Sequence, residues 1–131
     1  MRAGDCGGDG RFEGGSVERF VLNIIQPVGG TPPPEELERI MAELRELRRD
    51  LELSEHWIFG AGLEQPREST VVRMRDDECV ARDGPYAEAD ECVGGFAAIE
   101  AEDRDGALQV AARYAQITGL PIEVRPINTP R

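Results

Sequence analysis

The side chains best suited to acid–base chemistry lie in the segment from Asp83 to Glu88, where Asp83-Gly84-Pro85 has the composition of a tight turn. Proline fixes its own φ and biases Gly84 away from the α region, and glycine accepts the conformation that remains. The turn therefore holds Asp83 at the end of a strand on rigid backbone. Two interpretations follow. Asp83 acts as an acid or base, if burial or a like charge raises its pKa, or its carboxylate accepts a backbone N–H of its own turn.

Four further side chains are candidates for ligand binding, and each has a structural alternative. Arg82 and Arg125 lie on or beside predicted strands, where a guanidinium suits an anionic ligand or a cross-strand ion pair. Tyr86 offers a hydroxyl that can donate a hydrogen bond to a ligand, or a ring that packs on its neighbours. His56 is the only histidine, and its type of side chain titrates near neutrality. It follows a polar Ser-Glu pair, so it is either a ligand-binding residue or an exposed loop residue.

The spacing of acidic residues and cysteines predicts no metal site and no cofactor. The acidic run from Glu88 to Glu91 has oxygens for a divalent cation, but it lacks the spacing of a calcium loop and is typical of a solvated turn. Cys6, Cys79 and Cys92 fit no metal-binding pattern, and an odd number leaves at least one thiol unpaired in a monomer. All 15 basic residues are arginine, so lysine Schiff bases and lysine general bases are excluded.

Length and charge indicate one soluble domain that does not bind nucleic acid directly. The chain has 131 residues, and its net charge of -11 is opposite to what phosphate contacts need. No apolar run approaches the roughly 20 residues of a membrane span, and Met1 to Gly15 lacks the apolar stretch of a signal peptide. We therefore expect a cytoplasmic protein with no membrane partner. Residues 1–18 predict a disordered glycine-rich tail, residues 19–128 a folded domain, and residues 129–131 a second short tail.

Hydrophobic periodicity predicts two helices and six strands. Six apolar residues from Leu37 to Leu51 recur at steps of three and four and form one stripe on a helix of about 17 residues. Asp103 is a candidate N-cap for a second helix, which Gly119 and Pro121 end. The predicted strands are Phe20–Ile25, Trp57–Phe59, Thr70–Arg75, Glu78–Arg82, Phe96–Ala101 and Ile122–Arg125, with Asp76-Asp77 as the turn of a hairpin.

The order of elements is β-α-β, an inserted β-hairpin, then β-α-β. This order predicts a ferredoxin-like α+β fold with both helices on one face of the sheet. The opposite face is then bare, and Val21, Ile25 and Ile99 place apolar side chains on it in the predicted pattern. A second subunit covers such a face in many oligomers, and two-fold symmetry is the commonest arrangement, so the sequence predicts a homodimer.

The chain resembles the YCII-related, or DGPF-domain, proteins from about Arg19 to Ile127. The stretches that carry the resemblance are Phe59 to Leu63, Asp83 to Glu88, Gly94 to Phe96, Ile99 to Asp103 and Gly119 to Ile127. The resemblance implies a dimeric α/β barrel in which two sheets face each other. Three features depart from the family pattern. Tyr86 replaces the usual phenylalanine, Ala89-Asp90-Glu91 replaces a Thr-Lys-Glu-like segment, and the first predicted helix lacks the histidine that relatives pair with an aspartate.

Two hypotheses for function follow, and the sequence leaves open whether the protein is an enzyme. In the first, a dimer binds a small organic ligand in a cleft near the Asp83 turn, with Asp83 as acid or base and with Arg82 and Tyr86 orienting the ligand. In the second, which the resemblance implies, the protein is a non-enzymatic accessory or regulatory protein that acts with an extracytoplasmic-function sigma factor. A charge of -11 would suit a basic partner surface, mainly by raising the rate of association.

Overall fold

The computed structural model describes residues 17–128, so the predicted tail residues 1–16 and 129–131 lie outside the described part. The elements, in chain order, are β1 (Glu18–Pro27), α1 (Pro34–Leu53), β2 (Trp57–Gly62), a short 3-10 helix (Pro66–Glu68), β3 (Thr70–Arg75), β4 (Glu78–Asp83), β5 (Glu91–Ala101), α2 (Arg104–Thr118) and β6 (Ile122–Pro126). The predicted helices and strands are all present. The first strand begins at Glu18, one residue before the predicted domain boundary.

The main sheet has four strands in the order β2-β5-β1-β6, and every neighbouring pair is antiparallel. Strands β1 and β2 therefore run parallel with β5 between them, and β5 and β6 run parallel with β1 between them. Each helix joins the two strands of one such parallel pair, so the chain contains two interleaved β-α-β units. This is the mixed α+β class that the sequence predicted, and its strand order is compatible with a ferredoxin-like fold.

The helices begin and end at local signals. Helix α1 has proline at its first position and Glu35 and Glu36 in its first turn, where carboxylates interact favourably with the helix dipole. The Asp103 carboxylate caps α2 by accepting a hydrogen bond of 2.9 Å from the Gly106 backbone N–H. Gly119 ends α2 with a φ of 72° and donates its N–H to the Ala115 carbonyl at 2.8 Å. Both predicted ends of the second helix are confirmed.

One core lies between the sheet and the two helices. It contains Phe20 and Leu22 of β1, Ala97, Ile99 and Ala101 of β5, Leu47 and Leu51 of α1, and Ala107, Ala111 and Tyr114 of α2. Burial raises the pKa of Tyr114 to about 12, although the nearby positive charges of Arg48 and Arg113 oppose this shift. Both helices therefore cover the same face of the sheet.

The placement of Ile99 on the bare face was wrong. Ile99 pairs with Phe20 across β1 and β5, and directly paired residues point to the same face, so its fully buried side chain lies in the core. The uncovered face, here called the open face, instead carries Val21 and Ile25 of β1, Phe96 of β5 and Phe59 of β2. Val21, Ile25 and Phe96 are half-buried, and Phe59 is exposed.

Strands β3 and β4 form a separate two-stranded sheet, as predicted. The pairing runs from Thr70 opposite Asp83 to Arg75 opposite Glu78. Its two-residue turn has φ values of 51° at Asp76 and 68° at Asp77, and aspartate tolerates this left-handed region better than most residues. Strand β4 extends one residue beyond the prediction, so Asp83 is the last residue of the hairpin.

Within residues 17–128, neither helix has a stretch long and apolar enough to cross a membrane.

Candidate functional site

The bend after β4, here called the Asp83 turn (Asp83 to Pro85), is joined by its backbone to the residue before β3. Gly84 has a φ of 106°, which L side chains rarely adopt, and its N–H donates to the Ser69 carbonyl at 2.7 Å. The Asp83 side chain is exposed, and its carboxylate makes no hydrogen bond or ion pair with any other residue between 17 and 128. The turn geometry therefore does not depend on this carboxylate: the backbone at Gly84 is constrained, whereas the Asp83 side chain is exposed to solvent.

Arg82 and Tyr86 lie on the opposite side of the hairpin from the Asp83 side chain. Successive strand residues point to opposite faces, so Arg82 faces away from Asp83 and shares its face with Arg73. The Arg82 guanidinium donates to the Pro85 carbonyl at 3.2 Å, and the Arg73 guanidinium lies 5.2 Å from the centre of the Tyr86 ring. We call Arg73, Arg82 and Tyr86 the arginine–tyrosine cluster.

Arg73 is a residue that the sequence analysis missed. The signal was present in the predicted hairpin, because a two-residue turn at Asp76-Asp77 sets the register and places Arg73 and Arg82 on one face. The contact between Arg73 and Tyr86 could not be predicted in this way, because it depends on the path of the chain after the Asp83 turn.

Arg125 lies on β6, in the four-stranded sheet. It pairs with Val21, so it projects from the open face. Its guanidinium is 3.8 Å from the carboxylate of Glu123 on the same strand, which is not the cross-strand ion pair considered as its alternative. Among residues 17–128 no hydrogen bond or ion pair joins Arg125 to the hairpin, so a single chain does not link it to the other predicted site residues in this way.

His56 is held by the backbone at the end of α1. Its N–H donates to the Leu51 carbonyl, its own carbonyl accepts from the Glu100 N–H, and both distances are 2.8 Å. Its ring Nδ1 lies 2.8 Å from the Ser54 hydroxyl oxygen. The side chain is half-buried and lines a cleft of about 530 Å³ between the end of α1, the end of β5 and the start of α2. The sequence pointed to His56, but it revealed neither the contact of His56 with Ser54 nor the cleft.

A second cleft, of about 240 Å³, lies between the loop after β1 and the 3-10 helix. Gln65 connects the two segments, since its side-chain oxygen accepts a hydrogen bond of 2.9 Å from the Gly29 N–H. Neither cleft includes Asp83, Arg82, Tyr86 or Arg125. These two clefts therefore do not supply the predicted pocket beside Asp83.

Metal-binding side chains are not grouped in the described part of the chain. No cluster of three or more histidine, cysteine, aspartate or glutamate residues there is arranged to hold a metal ion. Cys79 is an exposed free thiol and Cys92 a half-buried one, and Cys6 lies outside the described residues.

The open face has an aromatic pair on the edge strand β2 and its neighbour β5. The rings of Phe59 and Phe96 are 5.8 Å apart and tilted by 55°, and Phe59 is 58% exposed. Gly60 of β2 lies where a side chain does not fit. A Cβ there would lie 2.5 Å from the Trp57 ring and 2.8 Å from the Phe96 carbonyl oxygen, so only glycine lets these groups approach.

A family model described as the YCII-related domain matches residues 20–128. This match covers nearly the whole described fold, with both sheets and both helices. The chain therefore belongs to the YCII-related domain family, as its sequence stretches indicated. No curated protein matches the chain.

Proposed function

We propose that this YCII-related domain protein is a homodimer that binds a small organic ligand beside the Asp83 turn. In this proposal the fold is ferredoxin-like, and two sheets pack open face to open face as a dimeric α/β barrel. The observation that carries the proposal is the open face itself. It presents apolar and aromatic side chains on the side of the sheet that neither helix covers.

The chemistry of the open face supports pairing with an identical surface. Exposed Phe59 and half-buried Phe96 form an aromatic pair on β2 and β5, and Val21 and Ile25 add apolar surface on β1. Burial of apolar surface favours association, and a two-fold axis brings the same patch together on both copies. Asn23 lies between Val21 and Ile25 on β1 and opposite Phe96, and its side-chain amide donates a hydrogen bond of 3.0 Å to Glu123, so the interface would also contain a polar pair.

The Asp83 turn supplies the group that would act on the ligand. A carboxylate works as an acid or base near neutral pH when desolvation raises its pKa, and a partner subunit or a bound ligand would provide that desolvation. Asp83 is suited to this because its backbone is fixed and its carboxylate is not used by the turn.

The arginine–tyrosine cluster lies on the face of the hairpin opposite Asp83, so it would orient only an anionic part of a ligand that reaches around the end of the hairpin. Among residues 17–128, the guanidinium groups of Arg82 and Arg73 have donors that are not used in the contacts with the Pro85 carbonyl and the Tyr86 ring. Arg125 would contribute only from the open face, across the proposed interface. His56 takes no part, since its cleft lies elsewhere.

A thermal-shift screen of small organic acids, alcohols and amides tests ligand binding at the Asp83 turn. A ligand at 100 times its Kd should add about 2.7 kcal/mol to the stability of the wild-type protein. Asp83→Asn should unfold at the wild-type temperature without ligand but lose most of the shift. Asp77→Asn, the same change at the other end of the hairpin, should keep it. Full retention of the shift in Asp83→Asn would remove Asp83 from the proposal.

The hairpin supports a second candidate function, in which the protein acts in the cytoplasm as an accessory to an extracytoplasmic-function sigma factor. Val72 and Met74 are 60% and 68% exposed and lie on one face of β3. Exposed apolar patches of this kind often mark protein contacts. Replacing both with serine should weaken binding to a sigma factor of this class from the same genome by about tenfold or more. Unchanged affinity would count against this candidate.

A further inference from the structure

The β3–β4 hairpin has a free backbone edge along β3. The hairpin is a two-stranded sheet of its own, so β3 pairs with β4 on one side only. The Gly84 N–H donates to the Ser69 carbonyl, which makes these two residues a hydrogen-bonded pair that continues the ladder of the hairpin. Hydrogen-bonded and non-hydrogen-bonded pairs alternate in an antiparallel ladder. The backbone N–H and C=O groups of Thr70, Val72 and Met74 therefore point away from β4.

These outward backbone groups have no partner in the part of the chain that the structure describes. Among residues 17–128, no backbone hydrogen bond joins Thr70, Val72 or Met74 to another element. Strand β3 contains no proline, and its pairing with β4 has no bulge, so the backbone of β3 does not block a further strand. The edge of β3 can therefore accept one extended segment.

The side chains of β3 determine which residues such a segment would carry. Arg73 and Arg75 lie on one face of the hairpin together with Arg82 of β4, here called the basic face. Val72 and Met74 are exposed on the other face. Directly opposed residues of neighbouring strands share a face, so alternate residues of an added segment would contact the arginines and the apolar side chains in turn.

The charge of the basic face is not neutralised by other described residues. Within residues 17–128, Arg73, Arg75 and Arg82 make no ion pair. The one carboxylate among the strand residues of this face is Glu78, which lies opposite Arg75 on β4 without pairing to it. Charged residues on an edge strand disfavour pairing with a like strand. The arginines of β3 therefore favour an acidic segment over β3 of a second copy.

We propose that the free edge of β3 binds an extended peptide segment in which acidic and apolar residues alternate. The segment adds a third strand to the hairpin, and its backbone pairs with the outward N–H and C=O groups of β3. Its acidic residues contact Arg73 and Arg75, and its apolar residues pack on Val72 and Met74. Such binding requires neither a ligand at the Asp83 turn nor a sigma factor, since the backbone edge and the alternating side chains determine the partner.

Amide exchange measured by NMR on the isotope-labelled full chain tests this proposal with the peptide acetyl-Glu-Val-Glu-Val-Glu-Val-amide. Because the outward N–H groups of β3 become hydrogen-bonded, exchange at Thr70, Val72 and Met74 should slow by about tenfold or more at saturating peptide. Exchange at Cys79 and Ala81, which point outward from the β4 edge, should not change. The peptide acetyl-Lys-Val-Lys-Val-Lys-Val-amide has the same alternation and the opposite charge, and it should have little effect.

Three results would overturn the proposal: no slowing on β3, equal slowing on both edges, or equal slowing with the two peptides. Slow exchange on β3 that appears without peptide and increases with protein concentration would show that a second copy occupies the edge instead, and it would also overturn the proposal.

Proline at matched positions of the two edges separates backbone pairing from general attraction. Val72→Pro removes an outward N–H of β3 and no hydrogen bond within the hairpin, and it should weaken binding of the acidic peptide by about tenfold or more. Ala81→Pro makes the same change at the opposite residue of β4 and should leave the Kd within about twofold. Equal weakening by the two proline variants would reject the proposal.

A double variant tests the contribution of charge. Arg73→Gln with Arg75→Gln leaves the backbone edge of β3 intact and should weaken binding of the acidic peptide by about fivefold. Unchanged affinity in this variant would show that the arginines do not select an acidic segment and would contradict the proposal.

Discussion

The helix-covered sheet and the β3–β4 hairpin are stabilised in different ways. In the sheet, Phe20, Leu22, Leu47 and Ile99 are all less than 2% exposed. In the hairpin every residue of β4 is exposed, and only Val71 of β3 is partly covered. Side-chain packing therefore maintains the first region, whereas backbone pairing and turn geometry maintain the second.

This difference shows where side chains are free to act on other molecules. A core side chain cannot change without a loss of packing, but Asp83, Arg82 and Tyr86 belong to a region whose backbone is held by its own hydrogen bonds. The proposed ligand-binding residues lie in the hairpin and the turn that follows it, where side chains contribute least to the stability of the fold. The following predictions compare the two regions, beginning with the largest expected effect.

Truncation of a core residue should destabilise the protein strongly. Ile99→Ala should lower the free energy of unfolding by about 2–5 kcal/mol, because it removes apolar contacts and leaves a cavity at a fully buried position. Val72→Ala in the exposed hairpin should change it by less than about 0.5 kcal/mol. Urea denaturation followed by circular dichroism measures both, and similar values for the two variants would abolish the distinction between the regions.

Two glycines of β2 have different surroundings: Gly60 is closely packed, and Gly62 faces open space. Gly60→Ala should cost about 1–3 kcal/mol, since the new methyl group would overlap the Trp57 ring and the Phe96 carbonyl. Gly62→Ala, where nothing lies within 4 Å of the added carbon, should be nearly neutral. The same denaturation assay applies. A neutral Gly60→Ala would mean that the Trp57 ring does not pack over this glycine.

Strain at the Asp83 turn should remain local. Gly84→Val should cost more than about 1 kcal/mol at a φ of 106°, although there is open space around the added side chain. Because β3 and β4 form a sheet of their own, hydrogen exchange should speed up at hairpin amides and stay slow in β1 and β5. Faster exchange throughout the main sheet would show that the two regions unfold together.

Alkaline pH should distinguish the two tyrosines. Burial raises the pKa of Tyr114 to about 12 from 10.0, so the unfolded chain loses this proton first as the pH rises. The resulting stability is complete below about pH 10 and is lost progressively towards about pH 12. Tyr114→Phe should reduce this alkaline loss of melting temperature, whereas Tyr86→Phe, at a 72% exposed position, should follow the wild-type profile. Identical profiles for all three proteins would contradict this assignment.

The features that sequence predicted well depend on local interactions. The Asp103 cap, the Gly119 helix end and the Asp76-Asp77 turn each involve residues within a few positions of one another, so composition and spacing identify them. The face of the sheet on which the Ile99 side chain lies depends on its pairing with Phe20, which is far away in the sequence. The pattern of β5 alone therefore did not reveal it. For the same reason, sequence named His56 but could not find its cleft, which needs three elements brought together.

The proposed dimer depends on the open face. A substitution on that face can therefore be compared with a control substitution at the end of α1, on the helix side of the protein. Phe59→Asp places a charge on the open face at a position that is 58% exposed in the single chain, so the fold should be retained. Leu53→Asp makes the same kind of change at the end of α1, where the side chain is 77% exposed. We expect Phe59→Asp to prevent association and Leu53→Asp to leave it intact.

Sedimentation equilibrium at micromolar concentration tests this central claim most directly. The wild-type chain and Leu53→Asp should sediment with twice the chain mass of 14.4 kDa, and Phe59→Asp should sediment as the 14.4 kDa species with unchanged circular dichroism. A wild-type protein that shows only the 14.4 kDa species would contradict the proposed dimer.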